Sequence, residues 1–475
     1  MPVVGDRPRQ HTVWSLLNAE RKLPPGLLEV KAFLDLLEEC DQEVVEALFE
    51  DRGHGRNNYP VLPMWRLIAV KLFLRKGWFS DLRAELRRNA DFACLLGFNE
   101  GIPGEFDLPD ASAISRIHTK LKSDEYQARI KRVQEKTVAL LRREDPTIGK
   151  HTALDTTDVR THGHPVRHEG NPEKEKPSTD PEATWSVKTK RWVDKEGKKR
   201  EEKKSTFGYK ACLNVDVVQP VVIEVQTVTG SKSDQLLSTP ELQGAVRILG
   251  PGVMETCAED KGFDSADNVL VAYRDLKVSL IVPVRDVPEK LEEQPREDRE
   301  VALETGGNVV RDIYTGEIAC YDRTKSAEPL RREMRYAGFE KGRETHKFRC
   351  PLGAAAGASC SAFGTCSAGS CGKQGRQVRV PMDTDIRRFA PIYPRSKKWQ
   401  RRYNGRSAVE RVNSYLKEVL RLEDHCLRGL KTISLRVLLA ATTLNLRTLL
   451  VLRAARAAKA ARSPRATKQE LETAA

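Results

Sequence analysis

The chain has 475 residues, enough for two or three domains with a sizeable core. Its net charge is +14 and its pI about 9.3, with 31% charged residues of both signs, a spread bias that favours a polyanionic partner without naming one. No N-terminal stretch has the pattern of a secretory signal. The most apolar segment, Leu427 to Ala455, carries Arg428, Lys431, Arg436, Arg447 and Arg453. Its longest charge-free run is ten residues, too short to span a bilayer, so a buried closing helix is expected instead of a membrane anchor. Six of the ten cysteines are scattered in apolar or mixed contexts, the usage of a reducing, cytoplasmic compartment.

Residues 1–145 read as all-helical. Leu27-Leu28, Val30, Phe33-Leu34 and Leu36-Leu37 mark one amphipathic helix, and Val44-Val45 to Phe49 a second. Tyr59-Pro60 precedes a third, MWRLIAVKLFLRKG, ended by Gly77. Ser80 is expected to cap SDLRAELRRNADFACLLG, a helix closed by Gly97. Leu108-Pro109-Asp110 opens another through Ile114, Ile117 and Leu121. Such a bundle serves DNA-end binding through a helix-turn-helix or dimerisation alone, and the sequence does not choose.

HTALDTTDVR (151–160) is β-prone, and on a strand Asp155 and Asp158 point to opposite faces. His151, His162, His164 and His168 lie close by, but Gly163, Pro165 and Gly170 make a loop in which solvated histidines are the simpler reading. Residues 170–206 are polar and rich in lysine, with Trp185 and Trp192 interleaved: a charged loop, or a phosphate-tracking arm with aromatics for stacking. FGYKACLNVDVV and VVIEVQTVTG then read as a β-hairpin. A helix (Leu236 to Leu249), the strand VMETCAEDKGFD, a helix to Leu276 and the strand SLIVPVR follow. Asp260 falls at a strand's C-terminal end, where an open α/β sheet places its ligands, or is a helix-capping aspartate. Glu259 points to the opposite face.

Residues 286–400 are expected to be an insertion with strands, beginning at VALETGGNVVRDIYTGEIACYD. Cys350, Cys360, Cys366 and Cys371 are separated by nine, five and four residues. Four thiolates suit a tetrahedral structural Zn²⁺, with free thiols in a loop as the alternative. IRRFAPIYPRSKKWQRRYNGR then concentrates eight cations, including Lys397, Lys398, Arg401 and Arg402, beside Trp399, a DNA-facing track. In YNGRSAVERVNSYLK (403–417), Val409, Val412, Leu416, Val419 and Leu420 form an apolar helical stripe. Arg406, Glu410 and Lys417 form a second stripe, with Arg411 beside them and Asn404-Gly405 as a turn. Taken alone, this is an ordinary solvated face. The closing segment to residue 456 and a basic tail, 457–475, complete the chain.

The intervals Tyr403, Arg406, Glu410, Lys417 resemble the Y-R-E-K signature of bacterial insertion-sequence transposases of the DDE superfamily. Asp260-Lys261-Gly262-Phe263 is similar to the family's D-x-G-aromatic motif, FGYK also occurs there, and Asp155 stands at the position of its first Asp, with Asp158 as the alternative. The resemblance runs from about residue 55 to about 450. It implies that Asp155, Asp260 and Glu410 are catalytic and hold two Mg²⁺ (or Mn²⁺) ions. It also implies that Tyr403, Arg406 and Lys417 touch phosphates of double-stranded DNA, both the terminal inverted repeats and the target. The chain is then expected to be a homodimer on DNA, since two ends must be brought together. The order β, β-hairpin, α, β, α, β is that of a ribonuclease-H-like α/β domain, a mixed sheet with helices on both faces. That domain spans 146–285 and 401–456, with the helical domain (1–145) before it and the β/Cys-rich insertion (286–400) inside it. No Ser/His/Asp nucleophile pattern competes with this reading.

Overall fold

The computed structural model describes residues 23–51, 59–98, 100–102, 105–106, 108–166, 176–194, 196–285, 287–288, 290–303, 308–322, 330–352 and 376–461. The chain divides into two compact units. The first holds residues 1–149, 155–232 and 408–475; the second holds 150–154 and 233–407.

In the first unit, α1 (Pro25–Glu38), α2 (Gln42–Glu50) and α3 (Val61–Phe73) follow the apolar periodicity, burying Phe33, Val44, Trp65 and Leu67. Trp65 Nε1 donates to the buried Asp41 carboxylate at 2.6 Å, so this indole is both packed and satisfied. The third helix ends at Phe73, earlier than Gly77, because Arg75 takes a left-handed φ of 56° and breaks the ladder. The segment expected as one helix is two, α4 (Phe79–Arg88) and α5 (Ala90–Leu96). The break is at Asn89, whose side chain accepts from Phe92 N at 3.0 Å and caps the second piece. Ser80 lies inside the first turn of α4 and does not cap it, whereas Gly97 closes α5 in the left-handed region. A short hairpin, β1 (Glu100–Ile102) and β2 (Glu105–Phe106), interrupts the helical run. Then Asp110 caps α6 (Ala111–Leu121) and Ser123 caps α7 (Asp124–Glu144).

The central strand is β3 (His151–Arg160). The basic stretch expected as a loop or arm is an antiparallel ribbon of β4 (Thr184–Val193) and β5 (Lys199–Asp216). The remaining half of β5 pairs with β6 (Val222–Thr229), the expected hairpin. Glycine is needed at Gly208 of FGYK: φ is +155°, and a Cβ there would stand 2.3 Å from the Val159 carbonyl oxygen. The adjacent Tyr209 is fully buried and donates to Asp180 at 2.7 Å. Asp180 also accepts from Thr161 Oγ1 and Gly429 N, tying three stretches of chain to one carboxylate. The motif is therefore structural here.

The chain closes with α12 (Leu430–Ala461), packed on α7 and β6. It is long and apolar enough to cross a membrane, but 78% of its most apolar window is buried inside the protein. Asn445 explains its registration. Its Oδ1 accepts from Val222 N, and its Nδ2 donates to Val222 O and Thr137 Oγ1, so helix, strand and α7 share one fully buried amide.

The second unit carries α8 (Gln235–Leu249), β7 (Thr256–Glu259), α9 (Ala266–Arg274) and β8 (Ser279–Ile281). The first residues of β3 pair in parallel with β7 from His151↔Thr256 to Leu154↔Glu259, and β7 pairs in parallel with β8. The sheet order is β4-β5-β3-β7-β8, with β6 also on β5. The expected insertion is two antiparallel sheets. One is β12-β11-β10-β9, from β9 (Glu300–Ala302), β10 (Val309–Asp312), β11 (Ile318–Asp322) and β12 (Leu330–Glu333). The other is β13 (Arg335–Glu340), β14 (Thr345–Arg349) and β15 (Gln377–Pro381). Val309, Ile318, Phe348, Phe389 and Tyr393 form their shared core. The helices α10 (Lys397–Tyr403) and, in the first unit, α11 (Ser407–Ser414) follow.

Candidate active site

Asp155 lies in mid-β3, half-buried, and its Oδ1 accepts from Thr156 N at 2.8 Å. It follows Leu154 directly, and Asp260 directly follows Glu259, the register partner of Leu154. Asp260 occupies the N-cap position of a short 3₁₀ turn, Lys261–Phe263, yet its side chain makes no cap hydrogen bond. The turn is held by other groups. Arg285 donates to the Gly262 carbonyl, and the buried Asp264 carboxylate accepts from Arg285 N (2.8 Å) and faces Arg387 (3.3 Å). Asn268 Nδ2 donates to the Phe263 carbonyl at 3.2 Å, and Phe263 is buried. Asp264, Asn268, Arg285 and Arg387 are bracing residues that the sequence reading missed. The only sequence signal was the second aspartate of DKGFD.

Glu259 is fully buried. Ser238 Oγ donates to its Oε1 at 2.7 Å, and Oε2 has no hydrogen-bond partner among the described residues. Burial, opposed only by the Ser238 hydrogen bond, pushes its pKa up to about 8, so this carboxyl is protonated at neutral pH. Two consecutive acids thus differ in environment, one inside the core and one at the strand's end.

Glu410 is exposed on the first turn of α11, in the first unit. The expected stripe packs: Val409, Val412, Leu416 and Leu420 are buried. The helix is not one continuous α-helix. Asn404–Arg406 form a 3₁₀ turn, and Tyr415–Val419 widen into a π-helical turn. That widening breaks the 100° advance on which the alignment of Lys417 with Arg406 and Glu410 relied. Lys417 is half-buried and donates to the Asp158 carbonyl at 2.5 Å, with Glu423 at 3.4 Å. Asp158 also faces Lys188 of the ribbon at 3.2 Å. Arg411 is exposed and reaches the Val217 carbonyl at 3.4 Å.

The cationic track divides into two sets. Arg387, Arg388 and Arg395 are spent on Asp264, Asp385 and the pair Glu317 and Glu333. Lys397, Lys398 and Arg401 are exposed, and Arg402 is half-buried. Trp399 does not face outward as a DNA track would require. It is buried against Ala258, Ile281 and Ile392, with Tyr403 stacked on it at 4.9 Å between ring centres. Arg406 is half-buried.

Among the described residues, no three His, Cys, Asp or Glu side chains are gathered to hold one metal ion. Cys350 is a free thiol at the end of β14, while Cys360, Cys366 and Cys371, like His168, lie outside the described residues. The donor chemistry of Asp155, Asp260 and Glu410 suits Mg²⁺, which takes oxygen ligands.

The mixed sheet, with its hairpin, its two parallel strands and an acid at the end of β7, is that of the ribonuclease-H-like class. The model of the family described as "Transposase DDE domain" matches residues 146–446, well over half of the chain, and the chain belongs to that family. Its function is of the transposase type, its substrate DNA, and family members generally use divalent metal ions such as Mg²⁺. A search of curated proteins finds no match.

Proposed function

We propose that this chain binds the ends of an insertion sequence, cleaves phosphodiester bonds there, and joins the freed 3′-hydroxyl ends to target DNA. The observation that carries the reading is the register of β3 and β7: Asp155 and Asp260 are the next residues after the pair Leu154↔Glu259. The side chain of Asp260 is not used by the turn it caps. Glu410 is the third carboxylate, exposed on the signature helix.

Asp155, Asp260 and Glu410 would hold two Mg²⁺ or Mn²⁺ ions. The ions would supply activation of the attacking oxygen and stabilisation of the leaving one. The chain's own residues bind and orient the duplex. Lys397, Lys398, Arg401, Arg402, Arg406, Arg411 and Lys417 neutralise phosphates, and Tyr403, stacked on Trp399, fixes the turn that presents Arg406. The ribbon of β4 and β5 carries cations of its own. Residues 185–206 carry nine Lys or Arg against four Asp or Glu. Trp185, Val187 and Val193, exposed, share one face by strand alternation, and Lys188 and Trp192 share the other. A two-stranded ribbon is of the size that a major groove admits. In this reading the protein works as a homodimer on DNA, in the cytoplasm.

The test is incubation of the protein with Mg²⁺ or Mn²⁺ and a plasmid bearing the terminal inverted repeats that flank its gene. Cleavage at the repeats followed by joining to a second plasmid is the expected result. Cleavage without joining would make it a nuclease of the same fold. Binding without cleavage would make it a DNA-binding protein with idle acids.

A further inference from the structure

A second site lies wholly within the first unit, and its lining includes none of Asp155, Asp260 and Glu410. A cavity of about 310 Å³ is lined by Lys71 of α3, His118 of α6, Arg436 of α12 and His425 of the loop before α12. Trp78 and Phe79 complete its aromatic wall. Trp78 and Cys426, both exposed, mark its open side. Four basic side chains converge, and no carboxylate lines the cavity among the described residues.

Lys71 and His425 are not placed there by ordinary pairing. Lys71 is buried, with its Nζ 4.6 Å from the centre of the Phe79 ring and no salt bridge to a carboxylate among the described residues. His425 Nδ1 accepts from Leu427 N at 3.1 Å, which leaves the proton on Nε2, and that nitrogen is buried without a partner among the described residues. Arg436 is buried and donates to the carbonyls of Arg421, Leu422 and Asp424. Burying a polar donor without an acceptor is costly, so His425 Nε2 and the Lys71 ammonium, held beside the Arg436 guanidinium around an open cavity, suit an acceptor from outside.

We propose that this cavity is a binding site for a phosphate group, either the terminal phosphate of a DNA strand or free phosphate. Phosphate offers several acceptor oxygens and up to two negative charges, which match the Lys71 ammonium, the Arg436 guanidinium and the two imidazole N–H groups. The aromatic wall gives room beside it for a sugar or base.

The protonation states support this. Burial first, then the charge of Arg436, lowers the Lys71 pKa to about 7. Burial, with Lys122, Lys71 and Arg436, brings His118 to about 4. Burial, with Arg436, Lys71 and His162, brings His425 to about 4. Among the described residues, the opposing acids are Asp81, which acts on Lys71, and Asp424, which acts on Arg436. The empty cavity therefore holds back protons that a bound anion would restore, so binding takes up protons near neutral pH.

The experiment is calorimetric titration of the full chain with inorganic phosphate at pH 7, in two buffers of different ionisation enthalpy. One-site binding with net proton uptake is expected. Lys71→Met should weaken it at least tenfold and raise the melting temperature in phosphate-free buffer, because an unpaired buried ammonium is removed. His118→Gln, a milder change, should weaken it while leaving the melting temperature close to that of the parent. Competition by a 5′-phosphorylated oligonucleotide, but not by its 5′-hydroxyl twin, assigns the site to strand ends; phosphate binding without such competition assigns it to free phosphate. No saturable binding, or binding that both variants leave unchanged, overturns the proposal. Cleavage of DNA by the same preparation reads the transposase function separately, so the two ideas fail independently.

Discussion

Two neighbouring acids show how environment divides one residue type into two roles. Glu259 is enclosed and protonated, and Asp260, one residue later, stands at the strand's end with its side chain free of the cap. Because the Glu259 pKa is raised above its unfolded value, the folded chain binds more protons than the unfolded chain between about pH 4.5 and pH 8. Stability conferred by the neutral carboxyl is complete below that window and declines as pH rises through it. Glu259→Gln, which keeps the Ser238 contact and cannot ionise, should flatten the fall in melting temperature between pH 5 and pH 8, as thermal scans across that range would reveal. An identical pH slope in the variant would remove Glu259 as the cause. The strand that ends beside Asp260 was legible in the sequence, because β-propensity is a local signal, although β7 itself stops at Glu259. The sequence could not reveal the meeting of Asp264 with Arg285 and Arg387, since one partner is 21 residues away and the other 123.

At the scale of elements, the ribbon and the signature helix are where local reading was weakest. A lysine-rich polar stretch has no apolar periodicity, so its pairing with β5 was invisible until both strands were in register. The apolar stripe of the signature helix was legible and does pack, but the π-helical turn at Tyr415–Val419 was not, because it carries no residue type of its own. Trp399 looked like a DNA-facing aromatic because its neighbours are cations, and it is buried because its own position faces β7 and β8. If the ribbon tracks phosphates, the double variant Lys203→Ala with Lys204→Ala should weaken binding to any duplex and flatten the log K against log salt slope by about two units. An unchanged slope in fluorescence anisotropy titrations would detach the ribbon from DNA. Lys417→Ala should flatten the same slope by about one unit. Loss of melting temperature with no change in slope would instead assign Lys417 to its contacts with Asp158 and Glu423.

Across the whole molecule, the family match from 146 to 446 is interrupted in space: its first and last parts belong to one unit and its middle to the other, with β3 shared. The closing helix was anticipated from its apolar run broken by arginines. The amide that registers it, Asn445, was not, because one polar residue in an apolar helix has no periodic signal. Asn445→Ala would leave Val222 N without its acceptor, while the Val222 carbonyl keeps Gln134 Nε2, and should cost about 2 kcal/mol in urea unfolding. A cost below about 0.5 kcal/mol would mean that this hydrogen-bond set does not hold helix to strand. The central claim, that Asp260 acts with Asp155 and Glu410 on DNA, is tested most directly by comparing the parent chain with Asp260→Asn on end-bearing DNA in Mg²⁺. The account predicts binding within about twofold of the parent and a loss of cleavage of at least a thousandfold, on the scale of removing an essential catalytic group. Retained cleavage by Asp260→Asn would contradict it.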